Sequence, residues 1–129
     1  MQVLFVEDDA MNRRVVADML QVVGATMTEA PDAETGLNLI DGQAFNVVLM
    51  DLRMPGMDGL TAIQHLRART DEKASLPVIV VTADTANDLR ERCFAVGADD
   101  VLRKPIAMGA LLSSIGRMLA RAGEEIILS

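Results

Sequence analysis

Five short apolar runs alternate with amphipathic segments along this chain, and this alternation limits the possible folds more than any other feature. The runs lie at roughly 2–6, 25–29, 45–50, 77–82 and 99–103. The first, third and fourth are nearly continuous in large apolar residues, which is typical of strands covered on both faces. Because right-handed crossovers put helices on both sides of such a sheet, the pattern predicts an α/β fold. The predicted architecture is five βα units that form a doubly wound, mostly parallel sheet, written (βα)5.

The segments between the runs predict helices at about 33–41, 59–69, 86–96 and 107–122, after a first helix that ends near Gly24. Gly24 lies where a C-terminal cap belongs. In the fourth helix, Leu89, Cys93 and Val96 are expected to face the core. The first helix is expected to bury a stripe of apolar side chains, formed by Val15, Met19, Leu20, Val22 and Val23.

Composition narrows the function classes. At 129 residues the chain suits one domain, and a net charge of -7 argues against nucleic-acid binding. No apolar run has the length of a membrane span, so no membrane insertion is expected. Met1 leads directly into a strand pattern, which predicts no signal peptide. A single cysteine, Cys93, fits a reducing compartment, and together these features predict a cytoplasmic protein.

No repeat or linker precedes Gly123. The expected organisation is therefore one domain over residues 1–122, followed by a C-terminal tail or truncated linker over residues 123–129.

Four of the predicted strands end in polar side chains that suit phosphate chemistry. They are Glu7, Asp8 and Asp9 after the first strand, Asp51 at the third, Thr82 at the fourth and Lys104 after the fifth. Strand ends of a parallel sheet meet at one edge, where such folds bind ligands. Clustered carboxylates repel one another and favour a hard cation such as Mg²⁺, and an ammonium group suits phosphate oxygens. The pattern predicts a phosphoryl-transfer site.

Acidic residues at strand ends also serve as helix N-caps, and this interpretation stays open for Glu7, Asp8 and Asp9. A Pro-Gly loop separates Asp51 from the next helix, for which Asp58 is the expected cap. The bond between Lys104 and Pro105 is a candidate cis peptide.

Four motifs resemble the receiver domains of two-component response regulators, and the first helix resembles receivers attached to hybrid histidine kinases. The motifs are Phe5-Val6-Glu7-Asp8-Asp9, Val48-Leu49-Met50-Asp51-Leu52-Arg53-Met54-Pro55-Gly56-Met57-Asp58-Gly59, Val80-Val81-Thr82-Ala83 and Gly97-Ala98-Asp99-Asp100-Val101-Leu102-Arg103-Lys104-Pro105. The resemblance covers residues 2 to about 122, in the expected order and spacing. It implies the flavodoxin-like strand order 2-1-3-4-5.

The resemblance also implies a role for each site residue. Asp51 is expected to accept a phosphoryl group from a histidine kinase or a histidine phosphotransfer protein, and Thr82 and Lys104 are expected to bind that group. The implied Mg²⁺ ligands are Asp8, Asp51, the backbone carbonyl of Arg53 and, through water, Glu7. Beyond its own phosphorylation and dephosphorylation, no enzyme activity is expected; a hybrid parent protein would be a histidine kinase.

The chain departs from the family at Val101, where an aromatic switch residue is common. The expected output face is formed by Ala83, Arg90, Phe94, Ala98 and Val101. A downstream protein or a second copy of the chain is expected to bind there, on helix 4, strand 5 and helix 5.

Two other functions compete with this prediction. One is a Mg²⁺-dependent phosphatase with an aspartate nucleophile. Dehalogenase-type enzymes place an acid two residues after that nucleophile, and here Arg53 stands there, which cannot serve as a general acid at neutral pH. The other is a degenerate interaction domain, against which the complete set of acidic, hydroxyl and lysine residues argues.

Overall fold

A computed structural model describes the backbone of residues 1–128 and the side chains of residues 1–121. The described residues form five parallel strands in the order β2-β1-β3-β4-β5, which confirms the predicted fold class. The strands are β1 (Gln2–Val6), β2 (Thr26–Ala30), β3 (Val47–Asp51), β4 (Val78–Thr82) and β5 (Asp100–Arg103). Each begins and ends within two residues of its predicted bounds.

Five α-helices follow the strands in alternation: α1 (Ala10–Gln21), α2 (Ala33–Gly42), α3 (Gly59–Arg67), α4 (Leu89–Ala95) and α5 (Met108–Leu128). A short 3-10 helix, Glu72–Ser75, lies between α3 and β4. Helix α4 begins three residues later than predicted. The carboxylate of Asp84 accepts the backbone N–H of Ala86 at 2.9 Å, and this turn delays the first helical residue.

The apolar core lies in two layers, one on each face of the sheet. Phe5 and Leu49 pack with α1 and α5 on one face, whereas Val6 and Met50 pack with α2, α3 and α4 on the other. Because neighbouring residues of a strand point to opposite faces, the central strands must be apolar at nearly every position. This explains the continuous apolar runs in the sequence.

The predicted buried stripe of α1 is wrong in three of its five positions. Val15, Val22 and Val23 are exposed, at 43%, 71% and 52% of their surface, whereas Val16 and Leu20 are buried. Val22 and Val23 follow the last residue of α1, in the turn that leads to Gly24. Gly24 has φ +74°, as expected of a residue that closes a helix.

The C-terminal part of the chain differs from the prediction in its extent. Helix α5 was expected to end near residue 122, but its backbone continues to Leu128. Ser129, the last residue of the predicted tail, lies outside the described residues. A tail or linker over residues 123–129 stays a prediction. Among the described helices, none combines the length and the apolar character needed to cross a membrane.

Candidate functional site

The sheet brings the predicted site residues together at its carboxyl edge. Asp51 is the last residue of β3 and only 4% exposed, and Thr82 is the buried last residue of β4. Glu7 follows β1 and is fully buried, and Lys104 follows β5. Charged groups in such an environment need partners, so the contacts among them define what the site can do.

Gly59 fixes the approach of α3 to the strand that carries Asp51. Its N–H donates to the carbonyl of Leu52 at 3.0 Å, and a Cβ at this position would lie 2.3 Å from the backbone oxygen of Asp51. Only glycine permits this contact. The preceding residue, Asp58, accepts the N–H of Thr61 at 2.8 Å and caps α3, as predicted.

Lys104 and Glu7 form an ion pair within the site. Lys104 Nζ lies 2.8 Å from Glu7 Oε1 and 3.4 Å from Asp51 Oδ2. Asn12 Nδ2 donates to the same Glu7 oxygen at 2.6 Å. Glu7 Oε2 is buried and has no hydrogen-bond partner among the described residues. A buried carboxylate oxygen in that condition is a place for a proton or a cation.

Glu7 is one of three carboxylates that lie close together. One oxygen each from Glu7, Asp8 and Asp51 lies within 4.8 Å of the other two. Asp8 is exposed whereas Glu7 and Asp51 are buried, so the group opens to solvent on one side only. Oxygen ligands gathered in this way suit a hard divalent cation.

The buried carboxylates perturb one another's titration. Burial, and then the close approach and the negative charge of Glu7, raise the pKa of Asp51 to about 7, although Lys104 and the backbone N–H of Arg53 oppose the shift. Burial alone would raise the pKa of Glu7, but the neighbouring Asp51 and the hydrogen bonds from Lys104 and Asn12 outweigh it and lower that pKa. Near neutral pH the Glu7–Asp51 pair therefore retains part of one proton.

The acidic residues Glu7, Asp8 and Asp9 could be helix caps or site residues, and the two interpretations apply to different members of this triplet. Asp9 caps α1, because its carboxylate accepts the N–H groups of Met11 and Asn12 at 2.8 and 3.3 Å. Glu7 and Asp8 do not cap this helix. The side chain of Glu7 instead meets Lys104 and Asn12, which leaves Glu7 and Asp8 available to the site.

The remaining predicted site residues lie on the loops at the same edge. Thr82 Oγ1 accepts the backbone N–H of Asp84 at 3.0 Å, so the hydroxyl is engaged within its own loop. The side chain of Arg53 extends to Asp84. The peptide bond between Lys104 and Pro105 is cis.

Only part of the expected output face is exposed to solvent. Arg90 and Phe94 are exposed, with the guanidinium of Arg90 5.0 Å from the Phe94 ring centre, and Ala83 is also exposed. Val101 is half-buried. Ala98 is buried, and its placement on this face is wrong. Its N–H donates to the carbonyl of Cys93, which turns the chain beneath α4.

Sequence reasoning missed two residues of the site. Asn12 lies in the first turns of α1 and reaches Glu7, and Asp84 lies two residues after Thr82 and joins Arg53. Their positions in the sequence offer a signal for each. Asn12 lies shortly after the acidic residues Glu7, Asp8 and Asp9, and Asp84 stands two residues after the end of its strand, as Arg53 does. Neither residue type alone predicts the contact.

The fold and its charged edge define a flavodoxin-like α/β domain with an acidic site beside a lysine. Residues 3–116 match the family described as the response regulator receiver domain. This match covers most of the chain, which belongs to that family of two-component signalling domains.

Relatives of this chain include parts of hybrid sensor kinases. The sensor histidine kinase RcsC of Salmonella typhi is 36% identical over 115 residues, which cover 89% of this chain and 12% of RcsC. The sensor protein GacS of Pseudomonas syringae pv. syringae is 35% identical over 108 residues, which cover 82% of this chain and 12% of GacS. The chain thus spans a small part of the length of these relatives.

Solved structures share the whole fold. The receiver domain of the sensor histidine kinase PA1611 from Pseudomonas aeruginosa PAO1, solved with a magnesium ion coordinated in its active-site cleft, is 30% identical with a TM-score of 0.84. That comparison covers 92% of this chain and 97% of the other. The chemotaxis protein CheY4 of Vibrio cholerae is 28% identical, with a TM-score of 0.83, over 91% of this chain and 97% of CheY4.

Proposed function

We propose that this receiver domain accepts a phosphoryl group on Asp51 and changes its partner interactions in response. The observation that carries the proposal is the buried carboxylate of Asp51 at the tip of a central strand, with the ammonium of Lys104 3.4 Å away. A carboxylate placed beside a fixed positive charge can attack phosphorus while charge on the phosphoryl oxygens is neutralised.

Mg²⁺ fits the donor set. Glu7 Oε2 lacks a partner among the described side chains, and it lies in a group of carboxylate oxygens that opens to solvent at Asp8. Asp8, Asp51 and the carbonyl of Arg53 would hold the ion, and Glu7 would help through water. When bound, Mg²⁺ would displace the shared proton and neutralise charge on the phosphoryl oxygens. The magnesium in the cleft of the PA1611 receiver supports this choice of ion.

The chain's own residues would then carry the transfer. A carboxylate oxygen of Asp51 forms a bond to phosphorus as the bond from phosphorus to the donor histidine nitrogen breaks, and the electron pair of that bond stays on the nitrogen. Glu7 and Asn12 hold Lys104 and its ammonium in place, so the positive charge is ordered before the reaction. Thr82 would donate its O–H to an oxygen of the new phosphoryl group, since Oγ1 uses only an acceptor lone pair for Asp84.

The partners follow from the relatives. Because receivers of hybrid kinases pair with histidine kinases or phosphotransfer proteins, the phosphoryl donor is proposed to be one of these. The exposed residues Ala83, Arg90 and Phe94, with the half-buried Val101, are the proposed output face for a downstream protein or a second copy of the chain. We place the domain in the cytoplasm, without nucleic-acid binding and without enzyme activity on other substrates.

Incubation with acetyl phosphate and Mg²⁺ tests the proposal directly. Intact-mass measurement should show one added phosphoryl group that hydroxylamine removes, since an aspartyl phosphate is an acyl phosphate. Asp51→Asn should abolish the addition. Equal phosphorylation of Asp51→Asn and the wild type would disprove the assignment.

A titration with Mg²⁺ tests the proposed ligands separately. We expect one site, weakened by Asp8→Asn because two ionised carboxylates are needed to hold the ion. Asp9→Asn is the matched control, since Asp9 caps α1 and is not a proposed ligand. Unchanged binding in Asp8→Asn would remove Asp8 from the site.

A further inference from the structure

An ion pair connects the two loops that carry the site residues. Arg53 Nη2 lies 2.8 Å from Asp84 Oδ2. Arg53 stands two residues after Asp51 and Asp84 stands two residues after Thr82, so the pair joins the loop after β3 to the loop after β4. The side chain of Arg53 is 78% exposed, whereas that of Asp84 is 18% exposed. Asp84 is therefore the fixed partner and Arg53 the movable one.

Asp84 also organises its own loop. Its backbone N–H donates to Thr82 Oγ1 at 3.0 Å, and its carboxylate Oδ1 accepts the N–H of Ala86 at 2.9 Å. The remaining oxygen, Oδ2, accepts from Arg53. One residue thus holds the Thr82 hydroxyl, the turn before α4 and the neighbouring loop at the same time.

We propose that Arg53 and Asp84 form a latch that holds Thr82 in its resting position and thereby opposes the phosphorylated conformation. This inference rests on the proposed function of Asp51 and adds its regulation. Arg53 acts here as a positioning residue through its side chain, independently of any role for its backbone carbonyl.

The latch follows from the link between Thr82 and Asp84. A phosphoryl group on Asp51 would accept the O–H of Thr82 while Oγ1 still accepts the N–H of Asp84, so movement of Thr82 toward Asp51 requires Asp84 to follow or stretches that 3.0 Å bond. Asp84 cannot move freely while Arg53 and Ala86 hold its carboxylate. Ligands shift such an equilibrium only by the difference in free energy between the two states. A latch that stabilises the resting state therefore weakens the response.

The latch also offers a means of coupling that requires no aromatic switch. The half-buried Val101 is too small to fill a space vacated by Thr82 in the way a ring does, but the loop from Ala83 to Asp88 leads directly into α4. Release of Asp84 would free this loop. The change would then reach Arg90 and Phe94 on α4 through the backbone.

Hydrogen exchange on the unphosphorylated protein tests the latch without relying on phosphorylation. Arg53→Ala and Asp84→Asn should each increase exchange at residues 83–88 by about twofold to fivefold, the range that one exposed ion pair supports. Asp84→Asn keeps an oxygen for the N–H of Ala86 but puts an NH2 group where Arg53 donates, so it breaks the ion pair and leaves the turn. Arg14→Ala, which removes one exposed positive charge from α1, is the matched control and should leave this segment unchanged. Equal exchange in all proteins would overturn the latch.

Binding of beryllofluoride, an aspartyl-phosphate mimic, in the presence of Mg²⁺ tests the regulation. Breaking the latch should tighten binding by about twofold to fivefold in each single variant, and the double variant should gain no more than either single one. Additive gains, or no gain, would refute the latch. If the wild type neither binds beryllofluoride nor becomes phosphorylated, the proposed function fails instead, and the exchange result still decides the latch.

Discussion

The two ends of the sheet differ in how completely their buried charged groups are paired. At the amino end, the Arg67 guanidinium donates to the carbonyls of Gly97, Ala74 and Leu76 at 2.8–2.9 Å, and to Asp99 at 3.0 Å. At the carboxyl end, Glu7 and Asp51 crowd around one ammonium, and Glu7 Oε2 has no partner in the described part of the chain.

The difference separates a structural role from a functional one. Every contact of the Arg67 guanidinium is to a group that the fold itself supplies, and these contacts tie α3 to the loops before β4 and β5, although burial lowers the pKa of Arg67 more than Asp99 raises it. The carboxyl-end charges are incompletely satisfied, and their shared proton can be replaced by a cation. Stability is concentrated at one end and reactivity at the other.

The largest effect on stability should come from Arg67. Arg67→Ala leaves three carbonyls without this donor and removes the guanidinium from Asp99, which keeps only the N–H of Val78 and the more distant Arg121, and this should lower the free energy of unfolding by about 3 kcal/mol. Urea denaturation measures it. Arg69→Ala should cost much less, because the partners of Arg69 are the exposed carboxylates of Asp41 and Asp71. If Arg67→Ala cost no more than Lys104→Ala, the two ends would not differ as described.

The next effect concerns pH. Folding raises the pKa of Asp51 from about 4 to about 7, so the folded protein holds a proton that the unfolded chain releases. Without divalent cations, the stability contributed by that proton is present below about pH 4 and is lost as the pH rises to about 7. Asp51→Asn removes this loss and should be more stable than the wild type at pH 8, by about 2 kcal/mol.

Denaturation of both proteins at pH 5 and pH 8 measures the difference. Adding Mg²⁺ should reduce the advantage of the variant at pH 8, because the cation then compensates the charge in the wild type. If Asp51→Asn were less stable than the wild type at pH 8 without Mg²⁺, burial and the charge of Glu7 would not destabilise the ionised Asp51 carboxylate as described.

Lys104 should have a smaller effect on stability than on signalling. Lys104→Ala removes the ammonium from Glu7 and Asp51, but the pair can take up a proton in compensation, so the cost at pH 5 should be about 1 kcal/mol. Beryllofluoride should no longer change hydrogen exchange at α4. A full change at α4 in this variant would show that the lysine is not needed to bind the phosphoryl group.

The smallest effect is expected on the exposed face of α4. Phe94→Ala removes an exposed ring that contacts Arg90, worth less than about 1 kcal/mol. Phosphorylation of Asp51 should be unaffected, while association with a partner or a second copy should weaken, as light scattering or binding assays would show. Unchanged association would remove Phe94 from the output face.

Much of the sheet and its carboxyl edge could be predicted from the sequence. Strands covered on both faces leave an unmistakable apolar run, and a polar residue that ends such a run must lie at the edge. The roles predicted for Asp51, Thr82 and Lys104 therefore rest on where each residue stands in the sequence relative to the end of its strand. The family match over residues 3–116 is independent of the structure, and the roles of these three residues stay predictions.

The helices were harder to orient. In α1, both Val15 with Met19 and Val16 with Leu20 are apolar pairs four residues apart, so periodicity alone cannot say which pair faces the sheet. The structure buries Val16 and Leu20. For Arg67 there was no signal at all, because its partners are mostly backbone carbonyls that loops up to 30 residues away bring to it.

The pair formed by Glu7 and Lys104 joins positions 97 residues apart. Every strand of this sheet pairs in parallel with its neighbours, so no hairpin can form early, and each pairing waits for a complete crossover. During synthesis, Glu7 emerges 97 residues before Lys104, which appears only after β5. Assembly of the reactive centre is thus tied to the last strand, and a chain released before that point has the aspartate but not its counter-charge.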